Sequence, residues 1–313
     1  MRLAVVSAAL LICALPAAAD EAFITEQSGD AVSVLDLATR KIVARMPVEG
    51  KPAGIGMAQD GRFAYVTSPE GKFVSVIDAA AREVVRRIDM PDAPLGIAVD
   101  PKGAFLYVAG FYQPRLYKID LAKGAIVATL TIGASPSGVA LTADGATIVT
   151  ADRDDNQISI IDAASFTRRA AVGVGKHPFG VTISADGKRV YTANVESDDV
   201  SVVDLESGRN VGTVATGKRP YALALAQGRG FVTDQYGGTV TVFDLVTLQP
   251  SRRIDVGEYP EGIETSADGK IVYVANWFSN EVFAIDARTL KVAAKMPVGD
   301  GPRSFGTFLR VTQ

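Results

Sequence analysis

The stretch "GVTISADGKRVYTANVESDDVSVVDLESGRNVGTVAT", residues 180–216, decides the fold. It holds four short runs rich in Val, Ile, Tyr and Thr, and the segments "ADGK", "NVESDD" and "LESGR" separate them. β-Branched and aromatic runs joined through an Asp-Gly turn are typical of strands paired as hairpins. Nothing in the stretch has the apolar spacing of an amphipathic helix. It therefore predicts one four-stranded antiparallel sheet.

The same unit recurs along the chain. A proline opens each copy and an aspartate closes its third run, and both sets are spaced by 42, 42, 42, 42, 40 and 42 residues. The prolines are Pro52, Pro94, Pro136, Pro178, Pro220, Pro260 and Pro302, and the aspartates are Asp36, Asp78, Asp120, Asp162, Asp204, Asp244 and Asp286. Four antiparallel strands in about 40 residues are the signature of a β-propeller blade.

The two ends of the chain complement each other. The runs "AFITE", "AVSVLD" and "KIVARMPV" near the N-terminus are strands two, three and four of a unit. The missing first strand is "RSFGTFLRV", which follows Pro302. Pairing these segments closes a ring and removes open sheet edges. We therefore predict an all-β, seven-bladed propeller that occupies residues 20–313 as a single domain.

The N-terminal segment "MRLAVVSAALLICALPAAAD" predicts a signal peptide over residues 1–19, with an A-x-A cleavage site before Asp20. Its apolar run is too short to span a bilayer comfortably. Cys13 is the single cysteine and leaves with this segment, and Ile12 before it argues against a lipid anchor. We expect a periplasmic protein without disulfides or membrane insertion.

The charge and the single histidine exclude several functions. The 32 basic and 35 acidic residues give a net charge of −3. Non-specific nucleic-acid binding needs a basic surface, so it is disfavoured here. One histidine cannot build a multi-histidine zinc or copper site. The sequence predicts no cofactor, and we expect a monomer.

The strand motifs resemble a known family. "FAYVTS", "RVYTAN" and "IVYVAN", each followed by a "VSVID"-like run, resemble the YVTN-repeat family of seven-bladed β-propellers. The resemblance covers the whole mature chain, and it implies a secreted or periplasmic propeller, usually without demonstrated catalysis. One subgroup accompanies pyrroloquinoline-quinone-dependent alcohol oxidation and an associated transporter. Seven complete units behind a signal peptide are similar to that subgroup.

Residues beside the opening prolines predict a ligand site. In a blade, the connection to the next blade and the loop between strands two and three share one face, here called the top face. In the last four units most of the residues beside the prolines are aromatic or cationic. Those predicted to bind a ligand are His177, Arg219, Tyr221, Tyr259, Glu261 and Arg303, together with Glu264 on an inner strand. Arginine pairs with carboxylates and aromatic rings stack, so we predict a small anionic or aromatic ligand at the channel mouth. The alternative is ordinary variability of polar loop residues.

Two single residues stand out in the repeat. His177 is the only histidine, and alone it is more often an exposed loop residue than a catalytic base. Glu264 occupies an inner-strand position that is small or nearly apolar in the other units. An unpaired buried charge is costly, so Glu264 should face the channel or meet a cation, with Arg303 as a candidate partner. Structural ion pairing and a role in ligand or metal binding both stay open.

Exposed aromatic residues predict a second kind of contact. The loops "AGFYQPR", "DQYGG" and "ANWFSNE" carry the predicted partner-binding residues Phe111, Tyr112, Arg115, Tyr236, Trp277 and Phe278. Aromatic residues on loops are frequent in protein interfaces. Packing of these rings over the blade ends is the alternative. A periplasmic partner protein is therefore a serious alternative to a small ligand.

The predicted function is a non-catalytic binding or scaffold propeller. The alternative is a lactonase-like hydrolase at the channel mouth, for which Glu264, Glu261, His177 and Arg303 are the candidates; a shared fold does not confer chemistry. The acidic loops "ADRDDNQ" and "NVESDD" offer oxygen ligands for calcium, but their spacing is not that of an EF-hand and solvated charge is the usual explanation.

Overall fold

A computed structural model describes residues 21–311, so the predicted signal peptide lies outside the described residues. The strands in chain order are β1 (Glu21–Glu26), β2 (Ala31–Asp36), β3 (Lys41–Pro47), β4 (Gly54–Met57), β5 (Phe63–Ser68), β6 (Phe73–Asp78), β7 (Glu83–Asp89), β8 (Pro94–Val99), β9 (Phe105–Gly110), β10 (Arg115–Asp120), β11 (Ala125–Thr131), β12 (Pro136–Leu141), β13 (Thr147–Asp152), β14 (Gln157–Asp162), β15 (Thr167–Gly173), β16 (Pro178–Ile183), β17 (Arg189–Asn194), β18 (Asp199–Asp204), β19 (Arg209–Ala215), β20 (Pro220–Ala226), β21 (Arg229–Asp234), β22 (Thr239–Asp244), β23 (Pro250–Asp255), β24 (Pro260–Thr265), β25 (Ile271–Asn276), β26 (Glu281–Asp286), β27 (Lys291–Pro297), β28 (Phe305–Thr307) and β29 (Leu309–Arg310).

These strands form seven sheets, which confirms the predicted seven-bladed propeller. Blade I has the strand order β29-β1-β2-β3, and blade II has β28-β4-β5-β6-β7. Blades III to VII each take four consecutive strands, starting with β8, β12, β16, β20 and β24. Within the described range the only helical segment is a 3-10 turn at Arg153–Asp155.

Burial follows the position of a strand within its blade. The second strand β17 is buried from Val190 to Asn194, whereas the outermost strand β19 is mostly exposed. Middle strands are buried on both faces because each blade stacks against its two neighbours. Their β-branched side chains fill the space between the sheets, which gives the strands both their propensity and their stabilising contacts.

The innermost strands approach each other closely near the axis. A β-carbon at Gly180 would lie 2.6 Å from the Tyr221 carbonyl oxygen and 2.7 Å from Ala222 Cα. At Gly138 it would lie 2.5 Å from the carbonyl oxygen of Phe179. These atoms belong to the backbone of the next blade and cannot rotate away. Small residues two places after each proline therefore allow the ring to close.

The C-terminal segment closes the ring, as predicted, but it serves two blades. β29 pairs antiparallel with β1, where Leu309 lies opposite Ala22. β28 pairs in parallel with β4 of blade II, where Phe305 lies opposite Gly54. Between these strands, Phe308 is fully buried in the core of the closure. The closing segment is thus split between blades I and II rather than forming one continuous strand.

The predicted shared top face is also confirmed. The carbonyl of His177, which precedes Pro178, accepts the N–H of Val195 in the loop between strands two and three at 3.0 Å. Tyr259 and Trp277 make the same contact at 2.9 Å in blade VII. The inter-blade connections therefore lie against these loops, and both bring their side chains to one surface.

Candidate functional site

The top mouth of the channel is filled by three aromatic rings. Phe179 and Tyr221 have ring centroids 4.4 Å apart, and Phe305 lies 5.1 and 5.5 Å from them. All three side chains are buried. We call Phe179, Tyr221 and Phe305 the aromatic plug. The sequence placed Tyr221 at the mouth of the channel, and the structure buries it in this plug, which closes the mouth.

A buried ion pair supports the plug. Arg303 Nε lies 2.9 Å from Glu261 Oε2 and 3.0 Å from the Tyr221 hydroxyl oxygen, to which it donates. Gln235 Nε2 donates to Glu261 Oε1 at 2.6 Å. Burial raises the pKa of the Glu261 carboxyl, and the Arg303 guanidinium opposes that shift. Tyr221, Glu261 and Arg303, predicted as ligand-binding residues, instead bind one another, and a ligand reaches them only by opening the plug.

Two cationic residues and the histidine of the top face lie beside the acidic loop of blade V. His177 Nδ1 lies 3.2 Å from Glu196 Oε1, and Arg219 Nη1 lies 3.9 Å from the same oxygen. Lys218 Nζ lies 2.6 Å from Asp198 Oδ2. The "NVESDD" loop therefore compensates the cations nearby, and its acids are engaged with the protein. This pairing weakens the attraction for an anionic ligand that the sequence suggested.

The position of His177 has a backbone reason. Its φ is 53°, in the left-handed region, and its N–H donates to Asn156 Oδ1 at 2.9 Å. Arg219 has a φ of 55° and donates to Asp198 Oδ1 at 2.8 Å. The repeat fixes this turn through the backbone and leaves the side chain free to vary. The turn therefore accepts a histidine without requiring any contact from its side chain.

Four aromatic side chains of blades VI and VII form one surface cluster, which we call the aromatic patch: Tyr236, Tyr259, Trp277 and Phe278. Tyr259 lies at the centre, with ring centroids 5.2 Å from Tyr236 and 4.6 Å from Phe278. Trp277 stacks on Phe278 at 5.0 Å. Tyr236 and Phe278 are each 58% exposed. The structure thus brings one predicted ligand residue together with three predicted partner residues.

The patch borders a cation. The Arg219 guanidinium carbon lies 5.2 Å from the centroid of the Tyr236 ring, within the range of a cation–π contact. The other predicted partner residues lie in blade III, where Phe111 and Tyr112 pack edge to face at 5.2 Å. Tyr112 is 74% exposed, and Arg115 is exposed beside it. The six predicted partner residues therefore form two groups.

Below the plug, the channel opens on the opposite face as a cavity of about 560 Å³. Its wall is formed by inner-strand residues such as Ile97, Val139 and Leu223, and its outer rim by turn residues such as Gln59 and Asp100. Most of the wall is apolar. Asp100 and Glu264 are the acidic residues among the described residues that line the cavity, and no Lys, Arg or His lines it. The cavity accordingly disfavours anions.

Glu264 anchors the ring closure. Its Oε2 accepts the N–H groups of Phe308 at 2.5 Å and Leu309 at 2.8 Å. Burial raises the pKa of this carboxyl to about 8, although the two N–H donors oppose the shift. The proposed pairing with Arg303 is wrong, because Arg303 pairs with Glu261. Glu264 is satisfied by the backbone of the C-terminal segment, a partner that its local sequence does not reveal.

Sequence reasoning missed a buried polar cluster that recurs at the end of the second strand. In blade IV, Asp152 Oδ2 accepts from Gly133 N at 3.1 Å and from Ser159 Oγ at 2.6 Å. In blade VI, Asp234 accepts from the N–H of Gly217 and the hydroxyl of Thr241. We call this arrangement the strand-end cluster. Its signal is a polar ladder in the same register as the prolines: Glu26, Ser68, Asp152, Asn194, Asp234 and Asn276.

The strand-end cluster is structural. Burial raises the pKa of Asp152, while hydrogen bonds from Ser159 and its other neighbours lower it. The cluster ties the second and third strands to the segment entering from the preceding blade. In blades IV and VI the acidic acceptor, the hydroxyl donor and the donor glycine are all buried, so the cluster there stabilises blade stacking.

Neither a metal centre nor a membrane-spanning helix is found in residues 21–311. No group of three or more His, Cys, Asp or Glu side chains there is arranged to hold a metal ion. No helix in the same range is long and apolar enough to cross a bilayer.

The fold defines the class of protein as a seven-bladed β-propeller, and comparisons with known proteins agree. A family model described as YNCE-like β-propeller matches residues 5–102. Hydrazine synthase of Kuenenia stuttgartiensis is similar with a TM-score of 0.78 and 22% identity, covering 90% of this chain and 99% of that one. A functionally unknown protein of Desulfotomaculum acetoxidans has a TM-score of 0.78 and 14% identity, covering 92% and 99%. At these identities the structures share the fold alone. No curated protein matches the sequence.

Proposed function

We propose that this chain is an exported, non-catalytic binding propeller that docks a periplasmic partner protein on its aromatic patch. The export and the periplasmic location rest on the predicted signal peptide at residues 1–19. The association with quinone-dependent alcohol oxidation rests on the family resemblance, and no residue described above bears on it.

One observation carries the proposal: four aromatic side chains contact one another on the top face, and two of them are more than half exposed. Clustered aromatic residues are the usual energetic centre of protein interfaces. The loops that carry them are fixed by backbone hydrogen bonds to the neighbouring connections, such as Trp277 N to the Tyr259 carbonyl. A rigid aromatic surface loses little conformational entropy when it is covered.

The surrounding charges favour a protein partner over an anionic small molecule. Lys218 and Arg219 already lie beside Asp198 and Glu196. The aromatic plug closes the pocket in which a small ligand would have been enclosed. A partner that presents apolar and aromatic side chains fits this surface better than a free anion does.

The hydrolase alternative is weakened by the same contacts. Glu261 and Arg303 are committed to each other, and Glu264 binds backbone N–H groups. His177 lies beside Glu196 on the open surface rather than in an enclosed site. These candidates do not converge on a place where a substrate could sit beside a nucleophile or base.

Site-specific photo-crosslinking in the producing cell tests the docking surface. A photoreactive residue at Phe278 or Tyr236 should give one discrete heavier adduct, and Trp277→Ala should abolish it. Val246 is the matched control, because it is apolar, 85% exposed and lies in the turn between β22 and β23, on the opposite face. Equal adducts at 246 and 278, or none at 278 and 236, would contradict the proposal.

A second function is favoured by the channel cavity, which is large enough for a small molecule. The Asp100 carboxyl at its rim and the lack of lining bases favour a neutral or cationic ligand, because Glu264 is engaged by backbone N–H groups. Native mass spectrometry of protein from its own periplasm should then show a small mass excess. Ala140→Met, which narrows the cavity, should remove that excess, whereas Phe278→Ala should leave it unchanged. A bare mass in the unmodified protein would dismiss this second function.

A further inference from the structure

Blade III breaks the strand-end cluster at all three of its positions. The residues that correspond to Asp152, Ser159 and Gly133 of blade IV are Gly110, Tyr117 and Pro91. The carboxylate acceptor, the donor hydroxyl on the third strand and the donor N–H are therefore all replaced. A triple change in a repeated polar contact points to a specialised function at that place.

Asp92 brings a carboxylate back into the vacated space from a different element. It lies in the connection between blades II and III, and its Oδ1 accepts the N–H of Ala93 at 2.7 Å. In other connections a loop side chain from the preceding blade does this, as Asp30 does for Lys51 N at 2.9 Å. Blade II has Lys72 at the position of Asp30.

Gly110 is what allows Asp92 to enter. A β-carbon at this residue would lie 2.6 Å from Asp92 Oδ2 and 2.8 Å from Cε2 of the Tyr117 ring. The carboxylate and the phenol ring thus occupy the volume that the strand-end side chain fills in other blades. The glycine, the tyrosine and the aspartate form one coordinated substitution.

Two polar atoms of this site are left without partners. Asp92 is 7% exposed and Tyr117 is 2% exposed. Among the described residues, Asp92 Oδ2 has no hydrogen-bond partner, and the Tyr117 hydroxyl has none of regular geometry, although the Arg115 side chain lies close enough to oppose the rise in the pKa of this phenol that burial causes. The corresponding Asp152 oxygen in blade IV accepts three hydrogen bonds. Burying an unsatisfied polar group costs about 1–3 kcal/mol. Ser68 Oγ and Ser75 Oγ of blade II, at the positions of Gly110 and Tyr117, are also unpartnered, so the added carboxylate of Asp92 is what distinguishes blade III.

Both residues line a cavity between the top-face loops of blades II and III, with a volume of about 560 Å³. Its other walls include Glu70, Lys72, Tyr112 and Arg115. Neither unpartnered atom is open to solvent, so an entering group must displace a rim side chain. Tyr112 is exposed and Arg115 has an exposed side chain, so both are able to move aside.

We propose that this cavity binds a small amino acid, whose ammonium group donates to Asp92 Oδ2 and the Tyr117 hydroxyl while its carboxylate meets Lys72 and Arg115. An ammonium group is compact and carries three donors, which suits two adjacent buried oxygens. Charge-assisted hydrogen bonds to a carboxylate are among the strongest in proteins. The site has the Asp92 carboxylate at its floor, and its rim carries two cations, Lys72 and Arg115, against one acid, Glu70, so a zwitterion matches both parts. This inference is independent of the proposed docking surface.

The complete exported chain is titrated with free amino acids as probes. Two-dimensional NMR spectra measure the binding. At least one amino acid should bind saturably. Asp92→Asn should weaken it at least tenfold, and Tyr117→Phe should weaken it measurably. Asp300→Asn is the control, because Asp300 holds the same repeat position before Pro302 and lies in another connection. Absence of saturable binding, or unchanged affinity in Asp92→Asn, would overturn the proposal.

A thermal melt without ligand separates a binding role from a structural one. If Asp92 and Tyr117 are kept for a ligand, Asp92→Asn and Tyr117→Phe should leave the melting temperature unchanged or raise it. Ser159→Ala, at the position of Tyr117 in an intact strand-end cluster, should lower it. A fall in Asp92→Asn as large as that in Ser159→Ala would assign Asp92 to the scaffold and refute the ligand site.

Discussion

Glu264 in blade VII accepts the backbone N–H of Phe308 at 2.5 Å, across 44 residues of sequence. The next N–H, that of Leu309, reaches the same oxygen at 2.8 Å. One carboxyl therefore fixes the point at which the chain passes from β28 to β29, where blade I is completed. The residue that the sequence marked as an anomaly in the channel serves to tie the closing segment to blade VII.

Replacing Glu264 with Ala should destabilise the protein by about 2 kcal/mol, because two backbone donors lose their buried acceptor. Glu264→Gln keeps an oxygen at that place and should cost less. Urea unfolding of the two variants and the unmodified protein measures the difference. Equal stability of Glu264→Ala and the unmodified protein would show that the two hydrogen bonds do not support the closure.

Glu264 should also make stability depend on pH. Burial raises its pKa to about 8 in the folded protein, from an ordinary value of 4.5. The folded state then holds a proton that the unfolded state releases, so this stabilising contribution is complete below about pH 4.5 and is lost as the pH rises through 8. The difference in melting temperature between the unmodified protein and Glu264→Gln should therefore shrink from pH 5 to pH 8. A constant difference would contradict the raised pKa.

The ion pair between Glu261 and Arg303 should be strongly coupled. Removing one partner leaves the other charge buried, which typically costs about 3–5 kcal/mol. Glu261→Gln and Arg303→Met should each destabilise strongly, and the double variant should be more stable than the sum of the two losses predicts. Unfolding free energies of all four proteins complete the cycle. Additive losses would mean that the two side chains act independently.

The glycines near the axis should differ sharply from those elsewhere. Gly180→Ala places a β-carbon against the backbone of the next blade and should cost about 3 kcal/mol or more. Gly173→Ala is the control, because no atom lies within 4 Å of its would-be β-carbon. It should change stability by less than about 0.5 kcal/mol. Similar melting temperatures for both variants would refute the close approach of the inner strands.

The architecture was predictable because it is repeated. Each opening proline, inner glycine and closing aspartate supports the others in one register, and the ring follows from their count. The strand-end cluster was equally readable, since Asp152 and Asp234 stand in that register, but its polar residues lie inside strand motifs that were interpreted as apolar runs.

The site was less predictable because it depends on side-chain direction and on distant partners. Tyr221 and Arg219 flank the same proline, yet Tyr221 points to the axis and closes the mouth while Arg219 lies on the surface. Sequence spacing does not distinguish these two directions. The pairing of Arg303 with Glu261 instead of Glu264 was missed for the same reason, because both acids lie on β24 within four residues of each other.

The split closing segment also constrains the order of events during biosynthesis. Leu309 completes a blade whose next strand begins at Glu21, so that sheet stays open at its inner edge until synthesis has reached residue 309. Blades III to VII are each continuous in sequence and contain all of their own strands. Nascent chains can therefore form those sheets as they emerge, whereas the circular molecule itself is assembled only after synthesis has passed residue 310.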